Sequence, residues 1–220
     1  MKFKYLLLLI SVGSLCALYI LSLFSQPTVI SLAKLSSYDG KQVITTGTVT
    51  NYYTTISGSQ IITIVDQHQN NATAATVYLE GTIEVEYGDL ITVTGTVQQY
   101  NNKWEVVVNN PRSIKIEKKW TDTTYPLWQI AQYPARYLDT NVNTTGIIEK
   151  TYNTYVILSD QDGTYAINVY YPSTLTLNVT KGDTVSVGAR LLYEQENLCY
   201  ILCLSEPNHY IRLQEEYTTD

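Results

Sequence analysis

The chain has 220 residues, with 14 Lys+Arg against 20 Asp+Glu and a formal net charge of -6. Nucleic-acid binders usually carry a broad basic patch, because neutralising phosphates supplies most of their non-specific affinity. This charge balance excludes a large one, and two of the cations, Lys2 and Lys4, precede an apolar N-terminal run. Thr, Val, Ile and 20 Tyr dominate, with only 15% charged residues, which is an all-β composition too apolar and too aromatic for a disordered chain.

Met1-Lys2-Phe3-Lys4 leads into residues 5–24, which are uncharged from Tyr5 to Phe24. At about 1.5 Å per residue that run covers ~30 Å, the thickness of a bilayer's hydrocarbon core. It is therefore expected to be a transmembrane signal-anchor (residues 1–26), with the two lysines on the cytoplasmic side and the body of the chain outside the cytoplasm. The alternative is a cleaved signal peptide and a secreted body. The apolar run exceeds the ~7–15 residues usual for one, and Leu23-Phe24-Ser25-Gln26-Pro27 has no small-x-small cleavage site. Cys16 is not a lipoprotein cysteine, since Leu15 precedes it and apolar sequence continues beyond. Three glycosylation sequons, at Asn71, Asn143 and Asn178, point to export in the same sense and to a glycoprotein.

Beyond the spacer at residues 26–31, Tyr38-Asp39-Gly40-Lys41 reads as a turn after a short element. Residues 42–54 are a long Thr/Val-rich first strand with Gly47 in its middle, where a bulge or bend is expected. Strands follow at 60–66, 75–80 and 90–99, the last alternating Ile91, Val93, Gly95 and Val97 with Thr92, Thr94, Thr96 and Gln98. Asn101-Asn102 turns the chain into a fifth strand at 103–108. Residues 118–126 read as a linker. The same order then returns at 141–150, 154–160, 165–171, 184–194 and 198–204. The clearest landmark is Tyr87-Gly88-Asp89-Leu90-Ile91-Thr92-Val93 against Lys181-Gly182-Asp183-Thr184-Val185-Ser186-Val187. The chain thus reads as two tandem copies, 31–117 and 127–213, closed by an acidic tail at 214–220.

These residues resemble a family. Val43-Ile44-Thr45-Thr46-Gly47-Thr48-Val49, Ile62-Thr63-Ile64-Val65-Asp66, Thr76-Val77-Tyr78-Leu79, the Gly88-Asp89 strand and Trp104-Glu105-Val106-Val107-Val108 are similar to OB-fold domains of the anticodon-binding and single-stranded-nucleic-acid-binding type. The second copy keeps Gly146, Asp160 and Gly182-Asp183 and fits less well. The resemblance implies two five-stranded Greek-key barrels, each with a ligand face on strands two and three and on the loops joining strands one to two and four to five. That places Tyr52, Tyr53, Tyr78, Tyr100, Lys103 and Trp104 at the first face. Tyr152, Tyr155, Tyr170 and Tyr193 fall in the matching region of the second. Aromatic platforms stack bases and sugar rings and anchor protein partners. The first face departs from the family's pattern, since the loop from Asn51 to Ser59 carries no Lys or Arg.

Catalytic and metal chemistry find little support. His68 and His209 lie in different copies. The pairs Glu84/Glu86 and Glu194/Glu196 read as solvated groups. Asp160 and Asp162 offer two carboxylates for a weak calcium site, but no further ligand pattern follows, and no nucleophile elbow, phosphate loop or zinc spacing occurs. Cys199 and Cys203 sit ~13 Å apart on an extended strand, too far for an unbent disulfide, and read as small buried hydrophobes. No cofactor is expected. The chain is accordingly expected to be a non-enzymatic, membrane-anchored binding module for single-stranded nucleic acid or oligosaccharide. The alternative is an assembly protein of the cell envelope that pairs with envelope proteins through strand edges.

Overall fold

A computed structural model describes residues 26–66 and 73–214, together with residues 5, 10–16 and 18. Strand β1 (Thr28–Val29) runs into a 3-10 helix (Leu32–Tyr38), and then β2 (Gln42–Thr54), β3 (Gln60–Asp66), β4 (Thr73–Leu79), β5 (Leu90–Tyr100) and β6 (Lys103–Val108) follow. Their order is β2-β3-β4-β6-β5, and β5 returns to pair with β2, which closes a barrel. Only the β4–β6 pairing within this barrel is parallel. This is the five-stranded Greek-key order of the OB fold. Strand β7 (Ile114–Lys118) adds to β5, and β1 adds to β2 in parallel.

The second barrel repeats the plan with β9 (Asn141–Thr151), β10 (Tyr155–Ser159), β11 (Ala166–Tyr170), β12 (Thr184–Glu194) and β13 (Cys199–Cys203), closed by β12 against β9. Strand β8 (Thr124–Pro126) pairs in parallel with β9, as β1 does with β2, and β14 (Tyr210–Leu213) pairs with β12, as β7 does with β5. The repeat therefore reaches upstream of each barrel, into short strands whose two or three residues show no periodicity. Helix α1 (Leu127–Gln132) is a single short element, held by buried Leu127 and Ile130. It was absent from the sequence expectation.

Alternation drives both barrels. Ile62, Ile64, Val77, Leu79, Ile91, Val93, Val97 and Val106 are fully buried in the first core, and Val156, Leu158, Val169, Val187 and Leu191 in the second. The expected bulge falls at Thr50 rather than Gly47, where the register of β2 against β3 slips between Val49 and Asn51. Its counterpart at Glu149 shifts β9 against β10 in the same way. Gly47 serves close approach instead, because a Cβ there would come within 2.9 Å of the Ile64 Cβ. Asn101 and Asn102 both have positive φ, the tight hairpin turn their sequence predicts.

The two barrels meet through the residues between them. Asp89, fully buried, accepts from the backbone N–H groups of Glu86 and Trp120 and from the Lys119 ammonium at 2.9 Å. Trp120, 4% exposed, donates its indole N–H to Glu86 of the first barrel and meets the His209 ring of the second edge-on. Arg190 lies over the Tyr87 ring, 3.6 Å from its centroid. Asn141 donates its backbone N–H to the Tyr87 carbonyl and its amide to Glu206. Gly88, at φ +91°, has no room for a side chain, since a Cβ would sit 2.5 Å from the Asn141 carbonyl oxygen.

Three expectations need correction. Among the described residues no helix is long and apolar enough to cross a membrane. Most of the expected span lies outside the described residues. The expectation of a membrane-anchored body outside the cytoplasm is overturned on this ground. Asn143 is no open glycosylation site, because it is buried with its amide donating to Thr124 and accepting from Tyr210. Asn178 is exposed, and Asn71 lies outside the described residues, as does His68. Cys199 and Cys203 are free and half-buried, on the outer face of β13 beside Glu194 and Arg190, not in the core.

Candidate ligand-binding faces

On the first barrel, the outward-facing residues of β3, β4 and β6 form the floor of a groove of about 730 Å³. The floor runs across Ile61, Thr63, Thr76, Glu105 and Val107, while Tyr53, Tyr78, Tyr100 and Lys103 stand around it. The volume lies within the ~300–1,000 Å³ typical of small-molecule sites. Tyr53 and Tyr100 are 55% and 62% exposed, and neither ring stacks on another aromatic among the described residues. Tyr78 is fixed by a hydroxyl contact of 3.0 Å with Ser59. Gln98 donates to Glu105, which is 8% exposed, so that carboxylate is held within the floor.

Four of the residues predicted for this face thus converge, and two do not. Tyr52 has the opposite parity to Tyr53 on β2, and its ring packs at 4.9 Å on Tyr87 beside the joint between the barrels. Its phenol is pushed up by burial and then by the nearby Glu206. Trp104 faces inward on β6, packs against the barrel core and lines a separate cavity at the barrel's end. Thr63 and Thr76 escaped the sequence reading, although the period-2 parity of their strands places them beside Tyr78.

The second barrel's matching face carries a ladder of rings. Tyr152 stacks on Tyr155 at 4.3 Å between centroids, and Tyr155 stacks on its cross-strand partner Tyr170 at 5.2 Å. Lys150 covers the Tyr152 ring at 4.7 Å. The Lys150 hydrogen bond lowers the Tyr152 phenol, and the same bond raises the Lys150 ammonium. Partial burial raises Tyr155, and the Tyr152 hydroxyl adds to it. Among the described residues no ring or cation lies over the far side of Tyr170. Tyr193, also expected here, instead pairs with Tyr200 on the β12–β13 hairpin. The two faces therefore differ: the first holds separated, open rings, and the second holds rings already stacked on one another.

Among the described residues no three His, Cys, Asp or Glu side chains come together to hold a metal. His209 is wholly buried at its side chain; its Nδ1 accepts from the backbone N–H groups of Ser205 and Glu206, and burial pulls its pKa down. That is a structural role at the joint.

No protein-family model and no curated protein matches the chain. Among solved structures it is similar to an aspartyl-tRNA synthetase from Leishmania major Friedlin, at 16% identity and a TM-score of 0.33 over 43% of this chain. The match covers only 21% of the synthetase. It is similar to the single-stranded DNA binding protein from Thermus aquaticus, at 15% identity and a TM-score of 0.30 over 81% of this chain and 95% of that one. The second OB-fold domain of replication protein A from Methanococcus maripaludis matches at 21% identity and a TM-score of 0.26, over 37% of this chain and 88% of that domain. Likeness at this level concerns the fold alone, and the barrel assignment rests on the strand order and closure described above.

Proposed function

We propose that the chain is a binding module without catalytic activity, and that the first barrel's groove takes single-stranded nucleic acid, with the second barrel's tyrosine ladder as a further stacking surface. The observation that carries this reading is the convergence of Tyr53, Tyr78 and Tyr100 on one open groove with two unstacked, exposed rings. Base stacking on aromatic side chains contributes about 1–3 kcal/mol per base and tolerates any sequence. The cationic contribution is small. Lys103 is the one cation in the groove lining, Glu105 opposes it, and Lys150 is the cation at the ladder. Binding by this surface is stacking-led, with a weak dependence on salt.

A neutral oligosaccharide is the second reading, favoured by that near-balance of charge in the groove. Sugar rings use the same tyrosine faces, and Thr63, Thr76 and Gln98 offer them hydrogen bonds. Titration of labelled single-stranded DNA at several salt concentrations separates the two. On a single strand each neutralised phosphate contributes about -0.7 to the slope of log K against log salt. One or two contacts predict a slope of about -0.7 to -1.4. Absence of saturable DNA binding at low salt, with binding of neutral oligosaccharides, replaces the first reading by the second.

A further inference from the structure

The groove on the first barrel does not stop at the outer face. A second cavity of about 520 Å³ lies at the barrel's end, between the 3-10 helix Leu32–Tyr38 and the rim of β3, β4 and β6. It shares Thr63, Thr76 and Lys103 with the groove, so the two cavities adjoin across the rim at Lys103. Past the rim, the inward-facing Trp104 lines the end cavity together with Leu32, Leu35 and smaller side chains, Ala33, Ser36 and Ala74 among them. Among the described residues no Asp or Glu lines this end cavity, in a chain whose net charge is -6. Among them its sole charged group is the exposed Lys103, at the junction of the two cavities.

We propose, resting on the nucleic-acid reading above, that a single strand bound along the outer groove turns over the rim, places one phosphate at Lys103 and seats its next base against Trp104 in the end cavity. The charge pattern selects this occupant. A neutral polymer gains only hydrogen bonds from the Lys103 ammonium, whereas a strand with one phosphate per nucleotide also puts a negative charge there whichever base follows. The indole supplies the stacking surface, and Asn102, Ser36 and Thr73 supply hydrogen-bonding groups around it. The site thereby accommodates a longer strand than the outer face alone.

The test uses the full chain and oligothymidylates of increasing length, some carrying 5-iodouracil for photocrosslinking. In the unmodified protein, affinity rises with length until both cavities are filled, and adducts form at Trp104 as well as at Tyr53, Tyr78 or Tyr100. Ala74 is exposed on β4, and Ala74→Trp fills the end cavity without entering the core. This substitution leaves short oligomers unaffected and weakens long ones by about tenfold, the size of one lost stacked base. Ala33→Glu, on the exposed side of the 3-10 helix, does the same by repulsion and keeps the test sound if Ala74→Trp misfolds. Adducts on the outer tyrosines without any at Trp104, with both variants binding like the unmodified chain, overturn this inference and leave the nucleic-acid reading standing. No saturable binding at any length overturns both.

Discussion

At the scale of single residues, one motif has two fates. Gly88-Asp89 and Gly182-Asp183 are the same turn in sequence. Asp89 is fully buried and receives three donors from the joint, while Asp183 accepts only from the backbone N–H and hydroxyl of Thr180 on an exposed turn. Asp89→Ala strands two buried backbone N–H groups and a partly buried ammonium, and is expected to cost about 3 kcal/mol. Asp183→Ala is expected to cost about 1 kcal/mol or less. Urea unfolding of the two variants measures the contrast. On the ligand side, Tyr155→Ala removes the middle ring that holds Tyr170 in place with its far side open, and is expected to weaken binding at the second face by up to about 1–3 kcal/mol, the value of one stacked base. Tyr155→Phe keeps the ring and most of the affinity, which separates stacking from the hydroxyl contact.

At the scale of elements, what alternates was legible and what does not was hidden. The ten barrel strands announce themselves because each buries one face, so Val93 or Val187 fixes its neighbours' direction. The same parity would have separated Tyr52 from Tyr53, since adjacent strand residues point to opposite sides. Trp104 likewise shares the inward parity of Val106 and Val108, away from the outer face. Strands β1 and β8 were invisible because two or three residues carry no period. The partnership of Trp120 with Asp89 and His209 was also out of reach, because it joins residues 31 and 89 positions apart. Gly88 belongs to this scale too. Gly88→Ala places a methyl group 2.5 Å from the Asn141 carbonyl at a left-handed φ. It is expected to destabilise the chain by more than the equivalent change at Gly182, where no atom lies within 4 Å. Thermal melts of both variants check the order.

At the scale of the molecule, the joint makes the two faces parts of one body and gives that body a dependence on pH. His209 is buried neutral, with Nδ1 accepting from two backbone N–H groups, Glu206 3.6 Å from Nε2, and Arg190, Glu86 and the Trp120 ring also facing it. Burial depresses its pKa below the ordinary 6.5, and the opposing Glu206 only partly offsets this. Above that ordinary value both folded and unfolded chains carry a neutral imidazole, and the group contributes no pH dependence. As pH falls below it, the unfolded chain takes up a proton that the folded chain refuses, so stability declines until the folded pKa is reached. Unfolding free energy is expected to fall on acidification from pH ~7 to ~5, and His209→Gln to flatten that slope.

The measurement that tests the central claim most directly is the affinity of one long single-stranded oligomer for the full chain and for Tyr78→Ala, Tyr155→Ala and the double variant, at low salt. Two faces serving one strand predict that each single substitution weakens binding and that the double weakens it further. Unchanged affinity in all three variants, or no binding by the unmodified chain, would contradict the account.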